Sequence, residues 1–185
     1  EIKIEAASSA TEDAAATTEV TKLIKTLIAD KSVEGISTEL KTAILKAIDE
    51  GKTIKTDLKT PSVTEEEVKE DASKVKELIG SNANVAGYFD ITLAVNIDDT
   101  QAGKVTTLED GIAVTLEIPS NLPTVASGTS RVYTVVRVHD GVAEKLDTTV
   151  NSDGTITFKT DKFSTYAITY QDIKNPNTLD NIQVS

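Results

Sequence analysis

Near Gly87 the spacing of apolar residues along the chain shortens from about 3.6 residues to about 2, which divides a helical reading from a strand reading. After that point Phe89, Ile91, Leu93, Val95 and Ile97 alternate with Tyr88, Asp90, Thr92, Ala94 and Asn96, the pattern of one strand with a face in a core. Ile112, Val114, Leu116 and Ile118 repeat it. Residues 131–138 form a strand that is apolar on both sides, with Val132, Val136 and Val138 on one and Tyr133 and Val135 on the other, so its outer side must be covered. Asp140-Gly141 turns the chain into a strand through Val142, Glu144 and Leu146, and Ser152-Asp153-Gly154 turns it into Ile156 and Phe158. Residues 163–170 form the last strand. Six strands spaced by about ten residues, with Gly and Asp turns between them, predict an antiparallel sandwich.

Before Gly87, short strands alternate with amphipathic helices. Ile2, Ile4 and Ala6 mark a strand over residues 1–6, and Ile54 and Leu58 mark another over 52–60, ended by Pro61. Val20, Leu23, Ile24, Leu27 and Ile28 form the stripe of a helix over 12–29. Leu40, Ala43, Ile44, Ala47 and Ile48 form that of a helix over 38–50, with Ser37 as N-cap and Gly51 as stop. Thr64 and Glu67 have capping-box spacing, Val63 and Val68 that of a hydrophobic staple, and Val68, Ala72, Val75 and Ile79 make the stripe closed by Gly80. Neither early strand has a hairpin neighbour, and a lone strand is unstable in water, so both must join the later sheet. The expectation is one α+β domain over residues 1–172: an antiparallel, Ig-like β-sandwich of about eight strands, with two to three helices packed on one face at the doubly apolar strand. From Gln171 the apolar period is lost, and residues 173–185 read as a linker or tail.

Composition removes several functions. With 30 acidic and 19 basic side chains the net charge is −11, which repels phosphate backbones and excludes nucleic acid as the main partner. No apolar run approaches the roughly 18 residues that cross a bilayer. Without Cys there is no disulfide framework, thiolate nucleophile or Cys-bearing zinc site. The chain starts at Glu1 and contains no Met, so it is expected to be a processed form or a fragment.

Four stretches carry a family resemblance: Gly87-Tyr88-Phe89-Asp90, Leu116-Glu117-Ile118-Pro119, residues 131–141, and above all the run from Phe158-Lys159-Thr160 through Phe163-Ser164-Thr165-Tyr166-Ala167-Ile168. They resemble a β-sandwich module of unknown function found in cell-surface proteins of Gram-positive bacteria, chiefly gut Firmicutes. The resemblance implies an extracellular, cell-surface location and a sandwich closed by the last of these segments, with no catalytic residues to carry over. Asn175-Pro176-Asn177-Thr178 looks like the core of a sortase sorting signal, although Leu179 follows where such signals continue with Gly; a plain Asn/Pro-rich linker is the other reading. A signal peptide upstream and an apolar segment with basic residues beyond Ser185 are then expected.

Catalytic candidates are few. His139 is the only imidazole, and on a strand it and Asp140 point to opposite faces, which is wrong for a Ser-His-Asp relay, so a structural turn role with local hydrogen bonds is expected. Ser164 has no Gly-x-Ser-x-Gly elbow. Glu65-Glu66-Glu67 suits a helix N-terminus, while Asp98-Asp99 and Glu109-Asp110 read as solvated strand connections, without the spaced Asp loop that holds calcium. Sugar-stacking rings are scarce: there is no Trp, and of the seven aromatics only Tyr88 and Tyr133 leave the core phase, both toward the helical layer. An internal Lys-Asn isopeptide bond needs a buried lysine, and Lys3, Lys145 and Lys159 fall on outward phases. The function expected is that of a non-enzymatic structural or adhesive module of a secreted, anchored bacterial surface protein. It would act as a monomer without cofactor or metal, and meet a host or wall ligand, protein or glycan. The alternative is an accessory, glycan-binding domain of a larger extracellular protein.

Overall fold

The computed structural model describes residues 2–176. In chain order the elements are β1 (Lys3–Ala6), α1 (Thr11–Ile28), α2 (Thr38–Asp49), β2 (Thr53–Lys59), β3 (Ser62–Val63), a 3-10 turn (Glu66–Val68), α3 (Lys69–Ile79), β4 (Asn84–Asp90), β5 (Thr92–Ile97), β6 (Thr100–Val105), β7 (Thr107–Glu117), β8 (Thr129–His139), β9 (Val142–Leu146), β10 (Thr148–Val150), β11 (Thr155–Lys162) and β12 (Thr165–Lys174). The fold is α+β, with twelve strands among the described residues rather than about eight. They form three sheets: β1-β2-β5-β6, β10-β11-β7 and β3-β4-β12-β8-β9.

The helices form where their stripes predict. Ala16, Val20 and Ile24 of α1 and Leu40, Ile44 and Ala47 of α2 are buried. Ser37 caps α2 by accepting the Leu40 N–H at 3.1 Å. Thr64 accepts the Glu67 N–H at 3.2 Å, but its hydroxyl donates to the Glu67 carboxylate, so the box is closed through side chains; it starts the 3-10 turn, and the α-helix proper begins only at Lys69. Gly80, at φ +74°, ends α3 in a conformation open to glycine.

As the lack of hairpin neighbours requires, β1 lies parallel to β2, and β2 pairs antiparallel with β5. The strand predicted through Ile97 is in fact two. It breaks at Ile91, so that β4 belongs to the five-stranded sheet and β5 to the four-stranded one. Strands that change sheets make such corners, and the alternation survives this one: Phe89, Ile91, Leu93 and Val95 all enter the same core. The Ile91 N–H is held by the Ser164 carbonyl at 2.9 Å.

The helices do not share one face. α1 and α2 pack with the four-stranded sheet into the main core, which also receives the inward residues of β7, β8, β11 and β12. Only α3 lies on the doubly apolar β8, where Ala72 and Val75 meet Val136, Val138, Ala167 and Tyr88 in a second, smaller cluster. Tyr133 packs against the main core instead, beside Tyr170, with ring centroids 6.4 Å apart. An apolar stripe shows that a helix needs a cover, and not which sheet provides it.

β12 is the centre of the five-stranded sheet. It pairs with β4 on one side and, without a register break, with β8 from Thr165↔Val138 to Lys174↔Thr129 on the other. It thus continues past Gln171, where loss of the apolar period predicts a tail: the ladder and the Arg131–Asp172 pair hold residues 171–174 without needing a buried side chain at each position.

Candidate functional site

His139 ends β8, and Ser164 lies just ahead of the β12 ladder that pairs with it. No relay forms. The Ser164 hydroxyl donates to the Val138 carbonyl at 2.5 Å, the Asp140 carboxylate lies 3.5 Å from His139 Nε2, and Nδ1 is buried without a partner among the described residues. A proton relay needs a carboxylate on one ring nitrogen and the nucleophile on the other. Asp140, at φ +50°, and Gly141, at φ +77°, form the two-residue turn predicted for them, and their backbone fixes where His139 sits. The local hydrogen bond expected of the ring is replaced by this loose approach to Asp140.

Each acidic cluster has at least one member paired with a lysine. Glu65, just before the 3-10 turn, pairs with Lys76 in the last turn of α3. Asp98 and Asp99, at φ +51° and +63°, form the two-residue β5–β6 turn, where Asp98 lies 3.5 Å from Lys52 and Asp99 2.9 Å from Lys55. Glu109 and Asp110 are not in a strand connection but inside β7 on its exposed side, with Asp110 3.6 Å from Lys22. Among the described residues no group of three or more His, Asp or Glu is placed to hold a metal. Lys3, Lys145 and Lys159 are exposed, as their phase predicts.

Of the sorting-like motif, Asn177 and Thr178 lie outside the described residues. Asn175 is tied to the fold: its N–H donates to the Gly128 carbonyl at 2.7 Å and its side-chain oxygen accepts from Ser130. Just inside it, Arg131 forms a two-pronged bond to Asp172, at 2.7 and 2.9 Å, and lies 4.4 Å above the Tyr170 ring. The guanidinium holds the Asp172 carboxyl below the usual carboxylate range.

The best-organised polar cluster is one that the sequence pattern does not announce. Arg137, only 6% exposed, stands on the core side of β8 and reaches across to the three-stranded sheet. It donates to Thr160 at 2.9 Å, to Asp161 at 3.2 Å and to Glu144 on β9 at 2.6 Å. Thr160 also meets the hydroxyl of fully buried Tyr166 at 2.5 Å, and the Tyr166 hydroxyl reaches the Lys162 carbonyl. Burial pushes the Tyr166 phenol up to about 12, so it stays a neutral donor at ordinary pH. This network ties two sheets where purely apolar contact would let them slide. A second tie is Asp13 in the first turn of α1: 3% exposed, it accepts from the Leu58 N–H at 2.8 Å and from Ser8 at 2.7 Å, which fixes the helix to β2. The sequence signal for both is a charged residue in a buried phase, Arg137 in step with Tyr133 and Val135, and Asp13 in step with Ala16 and Val20.

Chemically, the Arg137 and Asp13 networks lock sheets and helices together. Among the described residues no helix is long and apolar enough to cross a membrane. Comparison of the chain with family models, with curated proteins and with solved structures finds no match.

Proposed function

We propose that the chain is a non-enzymatic structural or adhesive module of a secreted, wall- or membrane-anchored bacterial surface protein, built on an Ig-like pairing of its sheets. The sequence resemblance suggests the location. The observation that carries the mechanical role is the position of β12, flanked on both sides by hydrogen-bonded strands and continuous with Asn175. Tension entering through Pro176 loads the β8 ladder first, over residues 171–174, and both ladders from Tyr170 inward, and Arg137 and Arg131 add charge-assisted bonds beside them. The glycan-binding alternative has less support, since Phe89, Phe158, Phe163, Tyr88, Tyr166 and Tyr170 are all buried and offer no ring face to a sugar.

Single-molecule pulling tests the mechanical part. Force applied through residues 2 and 176 is expected to give one cooperative rupture at higher force than force applied through residues 2 and 140, which peels the β8–β9 hairpin first. Equal forces would sink the load-bearing reading. The location is tested by reading the gene on either side and fractionating cells; intact protein in the cytosol with no export signal upstream overturns it.

A further inference from the structure

The edge of the five-stranded sheet at β4 is only half covered. β3 pairs with Tyr88 and Phe89, and the chain then leaves the edge at Thr64, so among the described residues no strand lies beside 84–87 on that side. The uncovered stretch is about 13 Å long. A cleft opens along its outer side, and a second lies inward of the neighbouring end of β4 that β3 covers. On the outer side, a cleft of about 600 Å³ is lined by Val63, Ile79 and Val85, with the Glu65–Lys76 pair at its rim. Tyr88 also lines it. This residue is 6% exposed, and its buried hydroxyl has no hydrogen-bond partner among the described residues, an expensive state for a polar group. Burial, and then the Glu65 carboxylate, raise the phenol above its usual range and keep it a donor. On the inner side, a cleft of about 590 Å³ is lined by Phe89, Leu116, Ile118 and Pro119. Pro119 packs over Gly87, where a Cβ would come within 3.3 Å of its ring.

We propose that residues 84–87 of β4 receive a short extended peptide from a partner protein, added as an extra strand. Successive side chains of a strand point to opposite faces, so an added strand sends alternate residues into the outer cleft and the others toward Pro119 while its backbone pairs with β4. The Tyr88 hydroxyl then finds an acceptor on the peptide. The outer cleft selects medium-sized apolar side chains at alternate positions. The Glu117 carboxylate near Pro119 and the net charge of −11 favour a peptide with basic flanks. A second copy of this chain fits less well: its own edge would bring β3 and the Thr64 turn against those of its neighbour, whereas a segment of about four residues fits between β3 and the turn before Asn84. The site does not depend on where the protein resides, so it stands or falls apart from the surface reading.

The probe is a fluorescein-labelled octapeptide of alternating valine and threonine with a lysine at each end, titrated into the full chain. Saturable anisotropy is expected, with slowed hydrogen exchange at residues 84–87. Glutamate ends should weaken binding at least tenfold, and N-methylation of every second peptide amide should abolish it in one of the two phases. Tyr88→Phe keeps the ring packing and should weaken binding roughly fivefold, the share of one hydrogen bond. No saturable binding, equal binding of both N-methylated phases, or exchange protection away from β4 overturns the proposal. So does protection of 84–87 that rises with protein concentration in the absence of peptide, which would assign the edge to a second copy.

Discussion

Arg137 and Tyr166 show how one buried cation and one buried phenol set the behaviour of a whole contact between sheets. The Glu144 and Asp161 side chains remain 57% and 44% exposed, so water can hold them if the arginine is removed, whereas the arginine cannot be rehydrated where it stands. Arg137→Met is therefore expected to cost about 1–3 kcal/mol, and the pair Glu144→Ala with Asp161→Ala about 3–5 kcal/mol, because the second change strands a buried charge. Urea unfolding of the three proteins at neutral pH checks the order, and the reverse order would refute the argument. For Tyr166 the sign follows from proton counting. Its folded pKa is about 12, above the usual phenol value near 10, so between those values the unfolded chain releases a proton that the folded chain keeps. The contribution is intact below about pH 10 and lost toward about pH 12, at up to about 1.4 kcal/mol per pH unit. Tyr166→Phe should lack this share of the alkaline loss in parallel urea titrations; identical slopes would place the phenol in contact with water. The sequence shows only the anomaly, a charged residue in step with Tyr133 and Val135; its partners lie distant along the chain and are not legible until the fold brings them to it.

The elements differ in how plainly they are written. α1, α2 and α3 follow from stripes and stops because a helix buries one face whatever it packs on. β6 is polar and mostly exposed, Thr-Gln-Ala-Gly-Lys before Val105, and β10 has three residues, so neither carries an apolar period to detect. The sheet change at Ile91 is hidden for the opposite reason, since one alternation runs unbroken through two strands. The β5–β6 turn reads in sequence as a solvated connection, and it is a two-residue turn with both aspartates at positive φ. An L-residue there costs about 1–2 kcal/mol, of which glycine's added unfolded-state entropy returns about 0.5–1. The ion pair between Lys55 and Asp99 is exposed, so its removal weighs little. Asp99→Gly should therefore raise the unfolding midpoint in urea by a margin worth about 0.5–1 kcal/mol. A fall would show that the turn is held by Lys55 rather than by its backbone. In the α1–α2 connection the opposite change is costly: at Gly35, φ +87°, a Cβ would stand 2.2 Å from the Thr107 carbonyl oxygen. Gly35→Ala is expected to lower the thermal midpoint by several degrees, measured by circular dichroism.

At the scale of the molecule, one core cluster draws residues from α1, α2 and all three sheets. Residues 81–176 without the elements before them would bare the apolar sides of β5, β7 and β12, so the truncated chain is expected to self-associate and to lose its sharp thermal transition. A monomer that melts cooperatively at the full-length temperature would show that two separable units share the chain. The sequence makes this unity visible through the two early strands that lack hairpin neighbours, and leaves the division of the helices between two sheets invisible, because periodicity names a face and not its partner. The place of β12 bears also on synthesis. Of the described strands it is the last to be made, yet β4 and β8 meet only through it. Until Lys174 has left the ribosome, the five-stranded sheet consists of a β4 edge and a β8–β9 hairpin with nothing between them. That sheet therefore cannot assemble until β12 has emerged, so its assembly waits on the last of the described strands however much chain follows.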